Sequence, residues 1–247
     1  MSLAKAMQIL DLLSQPPYEY KISEISENTG INRTTVYRIV KTLARSDYVV
    51  FSEGTRKVKV GPVLHHVGST YLHGFDWGKK VEETLETLAN ETKESVGFAV
   101  REGDKVVSLY EFESHQPFRM NYRPGTLYPM NRGCYGKCLM AFHEDQARVE
   151  KLLRSQKFEK HLPNTLTEPG EILAEYARIR EQGYVLSEGE TFSPSAAGVG
   201  VPVFTRSGKV CGCLVVAFIK SDDLSERVER YLTVLREHAA NLSRCIP

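Results

Sequence analysis

Asn32-Arg33-Thr34-Thr35-Val36-Tyr37-Arg38-Ile39-Val40-Lys41-Thr42-Leu43-Ala44-Arg45-Ser46 is the stretch on which the reading of this 247-residue chain turns. Val36, Ile39, Val40 and Leu43 recur at i, i+3, i+4 and i+7, the spacing of one buried helix face. Thr34, Arg38, Lys41 and Arg45 repeat at helical spacing on the opposite face, and Arg33, Thr35 and Tyr37 flank the first turn. Asn32 suits the N-cap, because its side-chain oxygen can accept an orphan N–H of that turn. The pattern predicts a helix from Asn32 to about Ser46, apolar within and basic without.

Upstream, Thr29-Gly30-Ile31 reads as a tight turn, with Gly30 supplying the positive φ that ends a helix. Ile22 to Asn28 predicts a short helix with Ile22 and Ile25 inward. Leu3, Met7, Leu10 and Leu13 predict an amphipathic helix over 3–14, stopped by Gln15-Pro16-Pro17. Two short helices joined by a glycine turn, the second basic on its free face, form a helix-turn-helix. Downstream, Tyr48 to Phe51 is β-rich, Ser52-Glu53-Gly54-Thr55 is a turn, and Arg56 to Val60 alternates as a strand. A basic hairpin directly after a recognition helix is a wing, able to reach phosphates or the minor groove. The competing reading, a three-helix bundle with an idle polar face, leaves that hairpin unexplained.

Charge agrees with the division. Residues 1–61 hold nine Lys/Arg against six Asp/Glu, although the whole chain carries a net charge of only +1. A basic surface alone is usually just a solvated face; together with the wing it fits a polyanion. The first turns of the third helix (Arg33, Thr34, Thr35, Tyr37 and Arg38) are expected at base edges, with Arg38 suited to fork onto guanine. Lys41, Arg45, Arg56 and Lys57 are expected at phosphates. The expected partner is double-stranded operator DNA.

Gly61-Pro62 closes the wing. Val63, Leu64, Val67 and Leu72 predict a connector helix with candidate breaks at Gly74 and Gly78, and Lys79 to Thr92 a second helix. Such a connector either transmits a signal or a dimer contact, or simply packs on the second domain. From Ser95 the period becomes two. Strands are predicted over 96–101, 106–112, 118–122, 184–187, 198–204 and 210–219. Helices are predicted over 133–142, 144–154, 168–182 and 224–244. The expected fold class is α+β. The expected domains are residues 1–61 (winged helix-turn-helix), 62–78 (helical linker) and 79–247 (a sensor-like domain).

These segments resemble the IclR family of bacterial transcription regulators over nearly the whole chain. The resemblance is carried by Ile22-Ser-Glu-Ile-Ser-Glu-Asn-Thr-Gly-Ile31, by Arg33 to Leu43 and by Val58-Lys-Val-Gly61. It continues in Pro129-Met-Asn-Arg-Gly-Cys-Tyr-Gly-Lys-Cys-Leu-Met-Ala-Phe142, in Gly183-Tyr184 through Glu188 and Glu190, and in Gly200-Val-Pro-Val-Phe204. It implies a PAS/GAF-like effector-binding domain, a small-molecule acid effector, and a homodimer or dimer of dimers. By matching position, the effector would meet Gly133, Cys134, Tyr135, Glu188, Glu190, Ala196, Gly198, Val215 and Ala217. A helix starting at Gly133 would offer free N–H groups and its dipole to an anion. Where the family often has Cys, this chain has Gly198; where it often has two serines, it has Val215 and Ala217. Fewer polar groups there favour an aromatic or partly apolar acid over a very small oxoacid.

Other chemistry finds little support. Cys134 at a helix start would have a lowered thiol pKa, but neither His143 nor His161 forms a recognisable nucleophile–base pair with it. Cys134-x-x-x-Cys138 and Cys211-x-Cys213 lack the usual zinc spacing, and two cysteines per element read as packing residues. His65, His66 and His73 show no partner pattern, and Trp77 is expected to pack on the connector helices. No enzyme activity, cofactor or metal site is expected. The five cysteines, the short apolar runs and the absence of a signal pattern lead to an expectation of a cytoplasmic protein with no membrane partner.

Overall fold

The computed structural model describes residues 2–113 and 123–246. The chain divides between Phe75 and Asp76 into two units. The strand expected at 118–122 lies outside the described residues.

The first unit runs α1 (Ser2–Leu13), β1 (Glu19–Tyr20), α2 (Ile22–Thr29), α3 (Arg33–Ala44), β2 (Val49–Phe51), β3 (Val58–Val60) and α4 (Pro62–His73). Ile9, Leu13, Ile25, Val36, Val40, Val49 and Val58 are all fully buried, forming one core from three helices and two strands. Each such side chain contributes on the order of 1.5–3 kcal/mol. The strands form an antiparallel sheet in the order β1-β3-β2. β1 was not legible from periodicity, since two residues carry no period; it is held by pairing Glu19 with Lys59 and Tyr20 with Val58. The return strand of the wing is shorter than expected. Arg56 adopts φ +54°, outside strand geometry, so pairing starts only at Val58. Helix α3 likewise stops at Ala44, because Ser46 N–H turns back to the Leu43 carbonyl and Arg45 becomes the C-cap.

The second unit runs α5 (Gly78–Thr92), β4 (Ser95–Glu102), β5 (Lys105–Phe112), β6 (Leu127–Tyr128), α6 (Cys134–Ala141), α7 (Gln146–Ser155), α8 (Pro169–Gln182), β7 (Val185–Glu188), β8 (Ala196–Phe204), β9 (Val210–Ile219) and α9 (Leu224–Cys245). Its antiparallel sheet has the order β6-β5-β4-β9-β8-β7. Alternation sorts the strand residues between two faces. Ala99, Cys213, Val215 and Ala217 join Leu139, Leu153, Ile172 and Tyr176 of α6, α7 and α8 in one buried cluster. Phe98 and Phe218 face the other way. Trp77 meets Phe98 edge-on at 5.5 Å, and Tyr231 of α9 meets Phe218 at 5.1 Å.

Register sets the surface beneath α6. Ser187, Gly198, Ala217 and Ser95 lie side by side across β7, β8, β9 and β4, and the neighbouring row is Val185, Gly200, Val215, Gly97 and Glu111. Small side chains make up the first row and two glycines interrupt the second, which leaves room above the sheet. Near the far end of β9 the ladder shifts: Val203 pairs with Gly212 and Phe204 with Val210. Cys211 falls in that bulge, so it does not share the buried environment of Cys213; its thiol donates to the Val203 carbonyl at 3.2 Å.

Candidate nucleic-acid interface and ligand pocket

The free face of α3 is built as its sequence requires. Asn32 Oδ1 accepts the Thr35 N–H at 2.9 Å, and Gly30 at φ +69° closes α2. Arg33, Thr34, Tyr37, Arg38, Lys41 and Arg45 are exposed, while Thr35 is half-buried. The Lys41 ammonium lies 5.9 Å over the Tyr37 ring, and Arg33 reaches Glu27 at 3.5 Å between two exposed side chains. Arg56 is exposed on the wing. Lys57 is not free: its ammonium meets Glu19 at 3.5 Å, and the same carboxylate accepts the Ser52 hydroxyl at 2.8 Å. The Ser52 hydrogen bond, then Lys57, hold the Glu19 carboxyl below its ordinary range.

In the second unit a small pocket, with a cavity volume of about 30 Å³, opens at the start of α6. Gly133, Cys134, Tyr135, Glu190, Ala196, Gly198 and Val215 line it, joined by Tyr128, Ser187, Thr191, Phe192 and Ala197. Two residues expected there are elsewhere. Glu188 follows Ser187 in β7, so its side chain takes the opposite face of the strand. Ala217 shares the face of Gly198 but is packed into the buried cluster below α6. The Cys134 sulfur stands 2.9 Å from where a Cβ on Gly198 would sit, so a sulfur contributed by α6 fills the space of the side chain that β8 lacks.

The helix start is not an empty anion site. Gly133 adopts φ +73°, and its N–H donates to Glu190 Oε2 at 2.9 Å. The other oxygen of Glu190 accepts from Lys137 Nζ at 2.6 Å. Lys137, only 1% exposed, also donates to Glu175 Oε1 at 3.1 Å and to the Leu186 carbonyl at 3.3 Å. Burial works to raise the Glu175 carboxyl, but Lys137 and Arg178 outweigh it and leave it below the ordinary range. A buried cation flanked by two carboxylates thus ties α6 to α8 and to the β7–β8 loop.

Burial disfavours the thiolate form of three cysteines. It pushes Cys134 well above the ordinary thiol range, outweighing the lowering effect of Lys137, whereas its place at a helix start predicts a lowered value. Burial likewise raises Cys213, and raises Cys211 to about 11. Among the described residues no group of three or more His, Cys, Asp or Glu is placed to hold a metal ion. Among the same residues no helix is long and apolar enough to cross a membrane.

The profile of the bacterial transcriptional regulator IclR C-terminal family matches residues 69–244, and that of the IclR helix-turn-helix domain matches residues 2–53. The chain belongs to the IclR family. It is 26% identical to the HTH-type transcriptional regulator KdgR of Escherichia coli over 98% of this chain and 91% of that protein. The IclR regulator from Alicyclobacillus acidocaldarius superposes with a TM-score of 0.81 at 29% identity, covering 98% of this chain and 97% of the other. An IclR homologue from Microbacterium hydrocarbonoxydans, solved with 4-hydroxybenzoate, has the same fold, with a TM-score of 0.79 at 21% identity over 99% and 98% of the chains. The protein is therefore a transcriptional regulator with a DNA-binding and an effector-binding domain, and not an enzyme.

Within this IclR-family frame, two residues of the pocket wall and one behind it escaped sequence reasoning. Lys137 had a signal, a lysine inside an otherwise apolar helix, which demands an acidic partner. Thr191 had none; its hydroxyl is buried without a hydrogen-bond partner among the described residues and belongs to the pocket wall. Tyr128 sits on the two-residue strand β6, too short for periodicity to place.

Proposed function

We propose that this regulator reads a pseudo-palindromic operator with paired α3 helices, and that an aromatic or otherwise partly apolar acid in the α6 pocket alters its DNA affinity. The pocket carries the reading. Phe192, Ala196, Ala197 and Val215 give it apolar walls, and the start of α6 gives it a positive dipole end. Because Glu190 already takes the Gly133 N–H, the ligand carboxylate is assigned to the next part of the turn, at Cys134, and to the Thr191 hydroxyl. The 4-hydroxybenzoate bound by the Microbacterium hydrocarbonoxydans homologue supports an aromatic acid as the first class to try.

On the DNA side, Arg33, Thr34, Thr35, Tyr37 and Arg38 approach base edges, while Lys41, Arg45 and Arg56 meet phosphates; Lys57 contributes less because Glu19 holds it. Pairing of two chains is assigned to α4. None of its residues is buried, and Val67 and Tyr71, at helical spacing, are 51% and 42% exposed. The assembly is a homodimer or a dimer of dimers, acting in the cytoplasm. Effector binding shifts DNA affinity only by its own difference in affinity for two arrangements of the recognition helices.

The test is fluorescence anisotropy on DNA from upstream of the protein's own coding region against scrambled DNA, over a salt series, with and without benzoate or pyruvate. Sequence-selective, salt-sensitive binding shifted by benzoate supports the reading. A shift by pyruvate alone would overturn the aromatic assignment.

A further inference from the structure

At one end of the same pocket a carboxyl and two phenols form a part-buried group of their own. Glu111 on β5 lies opposite Gly97 on β4. A side chain at Gly97 would collide with both the Glu111 carboxylate and the Tyr135 hydroxyl, so its absence makes the space they occupy. Tyr135 Oη, reaching over from α6, donates to Glu111 Oε2 at 3.1 Å, and Tyr128 Oη on β6 donates to Oε1 at 3.5 Å. The two rings meet edge-to-face at 4.9 Å, and both tyrosines line the pocket. Among the described residues Glu111 caps no helix and completes no salt bridge; the two phenols are its hydrogen-bond partners, while the nearby Ser108 hydroxyl donates to the Arg123 carbonyl at 3.0 Å.

We propose that the Glu111–Tyr128–Tyr135 triad is the specificity-determining end of the pocket and selects ligands that carry a hydroxyl group. The proposal deepens the effector reading and rests on the α6 cavity being the ligand site. Donors and acceptors decide the selection. With Glu111 ionised, both phenolic protons point at the carboxylate, and only phenol lone pairs face a ligand, which must donate. With Glu111 protonated, its own O–H takes one phenol oxygen and releases that phenol's proton, so a ligand must accept. A hydroxyl group serves both states. An ether or carbonyl cannot donate, and an ammonium cannot accept. A site built to hydrogen-bond a hydroxyl also rejects the analogue lacking it, because its own polar groups are then left unpaired.

Calorimetric titration of the full chain with benzoate, 3-hydroxybenzoate, 4-hydroxybenzoate, phenol and anisole tests this. A hydroxylated probe should bind about tenfold more tightly than its unhydroxylated partner, the effect of one net hydrogen bond. Glu111→Leu should collapse that ratio towards one. Tyr128→Phe, which keeps the ring, should do the same if the leucine variant fails to fold. Benzoates that bind with no preference for the hydroxyl would leave the acid reading standing and overturn the triad. Phenol preferred over anisole in a Glu111-dependent way, with no benzoate bound, would do the reverse. A variant that weakens every probe in equal proportion, or a protein that binds none of them, also overturns the triad.

Discussion

Lys137 and Glu190, 53 residues apart in sequence, meet at 2.6 Å beside the pocket, with the lysine almost wholly buried. Glu175 joins them at 3.1 Å, so one cation holds two carboxylates. Lys137→Met would leave both acids without their counter-ion. Removing one partner of a buried pair typically costs about 3–5 kcal/mol, so urea unfolding of the variant should show a loss of that order. Glu190→Gln should lose less, since an amide oxygen still accepts from Gly133 and Glu175 still faces Lys137. Equal stability of Lys137→Met and the parent protein would show that this ion cluster does not hold the fold together.

Glu111 makes the second unit sensitive to pH in a definite direction. Burial pushes its carboxyl up to about 8. The folded state therefore keeps a proton that the unfolded chain releases near the ordinary glutamate value of about 4.3. Stability from this group is full below that value and declines as pH rises towards about 8. Chemical denaturation at about pH 5 and about pH 8.5, either side of most of that decline, should show the parent weaker at the higher pH, and Glu111→Gln should flatten the difference. A parent protein that gains stability over this window, with the glutamine variant unchanged, would contradict the assignment.

Gly198 and Cys134 should be energetically coupled. A Cβ at 198 would stand 2.9 Å from the Cys134 sulfur, so Gly198→Ala overpacks the pocket floor by about 1–3 kcal/mol. Cys134→Ala in the same chain should recover much of that loss. Additive effects in the double-mutant cycle would mean that the two sites do not share the space.

The DNA surface divides by partner. Arg38→Ala should reduce discrimination between operator and scrambled DNA, whereas Lys41→Ala and Arg45→Ala should weaken both alike. Because Glu19 holds Lys57 at 3.5 Å, Lys57→Ala should cost less than either. Glu19→Gln should release the lysine, tightening binding and steepening its salt dependence. Anisotropy titrations at several salt concentrations read every one of these variants; an unchanged salt slope in Glu19→Gln would show that Lys57 does not reach the backbone even when freed.

The exposed stripe on α4 is the place to break pairing. Val67→Glu should shift sedimentation towards monomer and reduce operator affinity, leaving the core of the first unit intact because Val67 is 51% exposed. An unaltered sedimentation profile would move the pairing surface elsewhere.

Short-range pattern was enough for much of this protein. The i, i+3, i+4, i+7 spacing from Val36 to Leu43 depends on neighbouring residues along one helix, and α3 buries Val36, Ile39 and Val40 as that spacing requires. The same holds for the long hairpin strands β4, β5, β8 and β9, whose length and composition announce them. The family motifs identified the pocket helix for the same reason: Gly133 to Phe142 is one contiguous segment.

Tertiary structure decided what depends on register and on the company a charge keeps. Of Glu188 and Glu190, two residues apart, only Glu190 enters the pocket, because β7 carries Glu188 to its other face and the loop then turns inward. The helix start read as open to an anion is already held by Glu190. Glu111 meets Tyr135 only because Gly97, between their elements, has no side chain. Periodicity records which face of its own element a residue takes. It carries no record of which distant residue lies opposite, and the energy of a buried charge or hydroxyl is set almost entirely by that partner.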